Sequence, residues 1–238
     1  MNKDITAQFL EHNDNNINDC VNDIINNDLV IFPTETVYGL GGNALNENAI
    51  KKIYKIKKRS IKNPLIVHVS DWKMGSIYCD VNHVEQKLIL KLVNKFWPGP
   101  LTLLVKKSSF ISDLVTAGSN YVGLRCPDNK IALELIQKSM FPIAAPSANI
   151  SGKVTSSYHK HLLEYFRNDK IKILYDKEPC KFGIESTIIK INNNEITLMR
   201  PGMITLDEIK ETLKNDDVIY EYKSLVNQSN SPGTDISH

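Results

Sequence analysis

Apolar positions along the chain switch repeatedly between helical and strand spacing. Ile17, Val21, Ile24 and Ile25 share one helical face, and the unbroken run Leu29-Val30-Ile31-Phe32 behind them predicts a short buried strand. A second helix is predicted over Glu47 to Lys57, with Ala49, Ile50, Ile53 and Tyr54 turned inward, followed by a strand over Pro64 to Val69. Val84 to Phe96 has helical spacing and is stopped by Pro98-Gly99-Pro100. Leu101 to Val105 and Tyr121 to Arg125 have the character of strands, and Asp128 is placed to cap a helix running to Ile136. Pro142 to Ala145 is a short apolar strand, Tyr158 to Phe166 a helix and Ile171 to Leu174 a strand. Ser186 to Ile191 and Ile196 to Met199 form a hairpin turning at Asn192-Asn193-Asn194, and Leu206 to Leu213 is a last short helix. Strands alternating with helices predict an α/β fold in which a twisted, mixed sheet is flanked by helices.

Two stretches break the rhythm. Pro33 to Gly42 is neither periodic nor simply polar, and is expected to be a shaped loop. From Lys223 to His238 periodicity gives way to Asn, Ser and Pro-Gly, so the expected organisation is one domain over 1–222 and a linker or tail over 223–238.

The 238 residues, 42% hydrophobic and 24% charged, suit one large domain and exclude disorder, collagen or coiled coil as overall descriptions. Lys and Arg (29) nearly balance Asp and Glu (27), so any anion site must be local rather than a general basic surface for nucleic acid. Cys20, Cys79, Cys126 and Cys180 are widely spaced without a C-x-x-C, as expected for reduced thiols. Met1 to Leu10 lacks the basic and apolar regions of a signal peptide, and no apolar run reaches membrane-spanning length. The expectation is a soluble, cytoplasmic protein with no membrane partner.

Familiar nucleotide motifs nearly occur and fail. Gly39-Leu40-Gly41-Gly42-Asn43-Ala44 spells G-x-G-x-x-A, but loop residues separate it from the preceding strand and no acidic residue follows at the dinucleotide-binding distance. Around Gly152-Lys153 the Walker pattern has Ser147 in place of its first glycine and Val154 after the lysine. What the chain does offer is local. Lys55 to Arg59 forms a basic helix end, which the helix dipole alone would favour. Pro146 to Gly152 follows an apolar strand with small residues whose N–H groups phosphate oxygens can approach. Arg125 and Arg200 leave predicted strands beside prolines, where a guanidinium needs a carboxylate or phosphate. His68 sits within a strand, a position equally suited to a core histidine. His159 and His161 fall on a predicted surface helix with solvent as their partner, and no nucleophilic triad or metal-binding pair of histidines is apparent.

Several blocks in order resemble the YrdC-like family, most closely its long-form threonylcarbamoyl-AMP synthases, over about Val21 to Gly202. They are Phe32-Pro33-Thr34-Glu35-Thr36-Val37-Tyr38-Gly39-Leu40-Gly41, Lys57-Lys58-Arg59 with Asn63-Pro64-Leu65-Ile66-Val67-His68, Trp97-Pro98-Gly99-Pro100-Leu101-Thr102, Arg125-Cys126-Pro127, Ala145-Pro146-Ser147-Ala148-Asn149-Ile150-Ser151-Gly152, Gly183-Ile184-Glu185-Ser186-Thr187 and Arg200-Pro201-Gly202. Ser60 and Val154 stand where the family usually has proline. Ser231-Pro232-Gly233 resembles the start of the linker that leads to a second, smaller domain in long-form members.

The resemblance implies a YrdC-like fold with a deep, positively lined cavity. It also implies an enzyme that condenses L-threonine, bicarbonate and ATP, with Mg2+ accompanying the triphosphate, into threonylcarbamoyl-AMP and pyrophosphate. The adenylate would feed a downstream tRNA threonylcarbamoyl transferase complex, with a direct tRNA contact left open. By the same carry-over Arg125 would hold the threonine carboxylate, with Thr34, Thr36, His68, the Ala145 backbone and Ser186 completing that pocket. Lys57 and Arg59 would be catalytic and, with Asn63, Tyr121, Ser147, Asn149, Thr155 and Arg200, would contact ATP. Glu35 is the one loop carboxylate placed to act as ligand or proton acceptor. The rival from another class is a double-stranded RNA-binding protein of the same fold without this activity, which near-neutral charge and the lack of interleaved aromatics disfavour. Carbamoyl transfer through carbamoyl-adenylate, as in fused family members, is a second enzymatic alternative.

Overall fold

A computed structural model describes residues 6–222. In chain order the main elements are β1 (Gln8–Glu11), α1 (Asp14–Ile25), β2 (Val30–Phe32), β3 (Gly39–Asn43), α2 (Glu47–Lys57), β4 (Ile66–His68), α3 (Trp72–Gly75) and α4 (His83–Phe96). There follow β5 (Leu101–Lys106), α5 (Asp113–Thr116), β6 (Tyr121–Arg125), α6 (Lys130–Ser139), β7 (Ile143–Ala144), α7 (Leu162–Phe166), β8 (Lys172–Tyr175), β9 (Thr187–Asn192), β10 (Glu195–Arg200), α8 (Leu206–Thr212) and β11 (Ile219–Tyr222). The strands run in the order β1-β8-β2-β3-β7-β4-β6-β5-β9-β10-β11. Parallel pairs (β4 with β6, β5 with β9) adjoin antiparallel ones (β3 with β7, β5 with β6), so the sheet is mixed as expected.

Helix starts are set by side-chain caps. Asn13, Asn46 and Asn129 each accept two backbone N–H bonds at the starts of α1, α2 and α6, and Asn82 forms a reciprocal capping box with Glu85 at α4. Asparagine thus sets the start of four helices. Asn129, and not Asp128, caps α6: its side chain accepts the N–H groups of Ile131 and Ala132, the first buried residues of the helix.

Other departures have equally local causes. The stretch expected as loop contains β3, a strand of glycines whose interior packing replaces hydrophobic alternation as its determinant. A Cβ on Gly41 would lie 2.6 Å from both Phe32 and Ile143, so the glycine permits close strand packing rather than phosphate contact. On α1, Cys20 takes the buried place expected of Ile25, which is 46% exposed. Tyr158 to Phe166 is not one helix: a 3-10 turn at His159–His161 precedes α7. β1 and β11, unread in the sequence, are the two edge strands, where half-exposed side chains weaken the alternation. The expected tail, 223–238, lies outside the described residues. No described helix is long and apolar enough to cross a membrane.

Strand alternation divides the sheet into two faces. Ile31, Val67, Leu124 and Leu103 point into the main core with α2 and α4. On the other face Val30, Phe32 and Ile143 are covered by α1 and α6. Farther along that second face Ile66, Leu104, Ile188 and Met199 cluster with Tyr121, with no helix among the described residues packed on them. The floor so left open, at β4, β6, β5 and β9, is where the site lies.

Candidate active site

Two pockets adjoin on this uncovered face. The inner, smaller one is lined by Thr34, Thr36, Tyr38, Ile66, His68, Arg125, Ala145, Ser186 and Arg200 among others. The outer, wider one is lined by Lys57, Arg59, Asn63, Ser147, Asn149 and Thr155 among others. Arg59, Ser147 and Glu185 border both, so the pockets communicate.

Strand register assembles the inner pocket. His68 is the register partner of Arg125 across the parallel β4–β6 pair, which puts both side chains on the open face. Arg125 Nη2 lies 2.7 Å from Glu35 Oε1 and donates to Thr36 Oγ1 at 2.9 Å; the Thr36 hydroxyl is 2.9 Å from that of Thr34. Glu35, 2% exposed, lines neither pocket and acts as the internal counter-charge of Arg125. Among the described residues neither Arg125 Nε nor His68 Nδ1 has a hydrogen-bond partner. Burial first, and then the Arg125 guanidinium, push the His68 imidazole down to about 3, so it is neutral at physiological pH. Opposite, Ser186 Oγ lies 2.7 Å from Thr102 Oγ1 and accepts from Arg200 Nη2 at 3.1 Å. Arg200 also pairs with Glu185 at 2.5 Å. A Cβ on Gly202 would lie 2.7 Å from the Glu185 carbonyl oxygen, so only glycine lets this segment pass so close to Ser186.

The outer pocket rests on the C-terminus of α2. Lys58 adopts φ 51° there, with Arg59 N–H bonding the Tyr54 carbonyl at 3.0 Å, which turns the chain sharply enough to separate Lys57 from Arg59. Lys57 is 1% exposed and donates to the carbonyls of Ser147 and Asn149 and to Asn149 Oδ1. Burial, followed by repulsion from Arg59, lowers its ammonium to about 7, while the Glu185 carboxylate acts in the opposite direction. Arg59 bonds the Asn63 side chain and the carbonyls of Asn63 and Pro64. The 145–148 segment is fixed by β3: Leu40 N–H bonds the Pro146 carbonyl at 3.0 Å, and Gly39 bridges to Ser147.

All six residues assigned to the amino-acid side line the inner pocket, and six of the eight assigned to the nucleotide side line the outer one. Arg200 borders the inner pocket instead. Tyr121 lines neither; it lies on the same face of β6 as Arg125, with Lys190 Nζ 4.0 Å from its ring centroid and Asn192 Oδ1 3.2 Å from its hydroxyl. Glu185, bordering both pockets, is missed as a site residue by sequence reasoning although it lies within the Gly183 to Thr187 block. His159 is not a solvent-facing surface histidine: its ring stacks on Tyr175 at 4.2 Å, away from both pockets.

The sequence profile of the Sua5_yciO_yrdC family, described as Telomere recombination, matches residues 23–202. The threonylcarbamoyl-AMP synthase of Pyrococcus abyssi (strain GE5 / Orsay) is 40% identical over 211 residues, covering 88% of this chain and 61% of its own length. That of Bacillus subtilis (strain 168) is 40% identical over 216 residues, covering 89% and 60%. The chain therefore spans about 60% of the length of these curated relatives. Among solved structures, P. abyssi Sua5 complexed with L-threonine superposes with a TM-score of 0.83 at 37% identity, over 96% of this chain and 67% of that one. E. coli YciO superposes with 0.72 at 20% identity, over 85% and 98%, a likeness of fold alone.

Proposed function

The chain belongs to the family of Sua5, YciO and YrdC proteins, and from that premise we propose that it is an L-threonylcarbamoyladenylate synthase. It would join L-threonine, bicarbonate and ATP into threonylcarbamoyl-AMP, releasing pyrophosphate, in the cytoplasm. The observation that carries the reading is the junction of the two pockets. A small pocket built around a buried guanidinium opens, past Arg59 and Ser147, into a wider basic one, which is what an amino acid and a nucleoside triphosphate would need to react end to end. Relatives named for this activity, and one solved with L-threonine, support the same assignment.

In this scheme the threonine carboxylate accepts from Arg125 through donors that Glu35 and Thr36 leave available, Nε among them. Thr34, Thr36, His68, Ser186 and the Ala145 backbone surround the rest of the amino acid. A neutral His68 presents no second cation to compete for the carboxylate and leaves the threonine amine free of a charged neighbour on that side. The amine adds to CO2 with loss of a proton to solvent, or to bicarbonate with loss of water, and the carbamate oxygen then attacks the α-phosphorus of ATP as the bond to the departing pyrophosphate breaks. The threonine carboxylate, the carbamate and the phosphates are all anionic, so positioned cations and small donors supply the catalysis by orientation and charge stabilisation. Arg59, Asn63, Ser147, Asn149 and Thr155 line the route of the phosphates, and Arg200 closes the junction through Glu185 and Ser186. Mg2+ would enter with ATP as part of the substrate, held by phosphate oxygens and water. The adenylate would pass to the transferase complex that modifies tRNA.

Pyrophosphate release, with threonine and bicarbonate omitted in turn, tests the assignment. Dependence on both supports it; turnover that persists without either one rejects it.

A further inference from the structure

An ammonium has three N–H donors and no more. All three on Lys57 are matched by oxygens of one loop: the Ser147 carbonyl, the Asn149 carbonyl at 2.6 Å and Asn149 Oδ1 at 3.1 Å. The loop is tied back a second time, since Ser151 N–H bonds the Lys57 carbonyl at 3.1 Å. Ser147 Oγ in turn donates to Asn149 Oδ1 at 2.7 Å, and Asn149 Nδ2 donates to the Lys153 carbonyl, so the whole turn is organised around the one cation. A polyphosphate site cannot tolerate carbonyl oxygens facing the anion, because their partial negative charge repels it.

We propose that Lys57 is a positioning residue, whose ammonium gathers the oxygens of the 147–153 loop out of the outer pocket and does not itself touch the phosphates. The loop, presenting Ser147 and Asn149 to the pocket, then contacts the nucleotide, with Arg59 as the cation that borders both pockets. The nearly isosteric Lys57→Met removes the cation and retains the bulk.

Three readouts test this. Hydrogen exchange of the nucleotide-free protein is expected to speed up over 147–153 by about tenfold or more in Lys57→Met, the loss of a charge-assisted anchor, and to stay at the wild-type rate there in Arg59→Met. In pyrophosphate release Lys57→Met is expected to raise the KM for ATP about tenfold and leave the KM for threonine within about twofold, a split that general destabilisation would not give. In the wild type, reductive methylation is expected to leave Lys57 unmodified with and without ATP. Unchanged loop exchange in Lys57→Met together with weakened ATP use overturns the proposal, as does methylation of Lys57 that ATP prevents. The methylation test needs no variant to fold. The kinetic readout rests on the synthase reading; the exchange and methylation readouts do not, so absence of threonine-dependent turnover in the wild type would reject that reading and leave the role of Lys57 separately decided.

Discussion

Arg125 and Glu35 form a pair that is 4% and 2% exposed, and neither charge has water to replace its partner. Arg125→Ala and Glu35→Ala are each expected to cost about 3 to 5 kcal/mol of stability, because each leaves the other charge buried alone. The double substitution should cost less than the sum, which urea denaturation of the three variants measures. His68 carries a pH signature. Its imidazole titrates near 3 when folded and near 6.5 when unfolded. Between those values the unfolded chain binds a proton that the folded one refuses. Stability therefore falls as pH drops from 6.5 toward 3, by at most about 1.4 kcal/mol per pH unit from this group. His68→Gln is expected to flatten that limb of the stability curve, as read from urea midpoints. The sequence offered His68 as either core or site; strand register makes it both, since β4 buries it and β6 sets Arg125 beside it.

At the scale of elements, amphipathic helices were the most legible part. α2 spans the residues its spacing predicts, with all four expected inward positions buried, because each turn repeats the same signal. The spacing puts Lys57 on that same face, i+4 from Ile53 and i+3 from Tyr54, but its residue type hides the burial, since a lysine at a helix end ordinarily reads as solvated. Strand β3 was illegible because its determinants are absences: three glycines, Gly39, Gly41 and Gly42, that let Phe32, Ile143 and Leu29 approach. Gly41→Ala is expected to lower stability by about 1 to 3 kcal/mol through overpacking, measurable as a fall in Tm. The cap of α6 gives a contrast within one turn. Asn129→Ala should cost about 1 kcal/mol, and Asp128→Ala, exposed and uninvolved, much less, by the same measurement.

Across the whole molecule, the fold class could be read from the chain, and most of the candidate residues that the resemblance implied line two adjoining pockets, but the junction of those pockets could not be read. Blocks separated by up to about half the sequence, such as Arg59, Ser147 and Glu185, meet only because α1 and α6 cover one part of a sheet face and leave the rest open. Tyr121 marks the limit of residue-by-residue carry-over: it shares the face of Arg125 but lines neither pocket, held instead between Lys190 and Asn192. If the junction is where the two substrates react, the carbon of bicarbonate must end up bonded to both. Incubation with threonine, ATP and 13C-bicarbonate, followed by mass spectrometry of the nucleotide product, measures this directly. The account predicts a threonine-containing adenylate carrying one 13C; AMP and pyrophosphate formed without any labelled adenylate, its hydrolysis being followed through time, would contradict it.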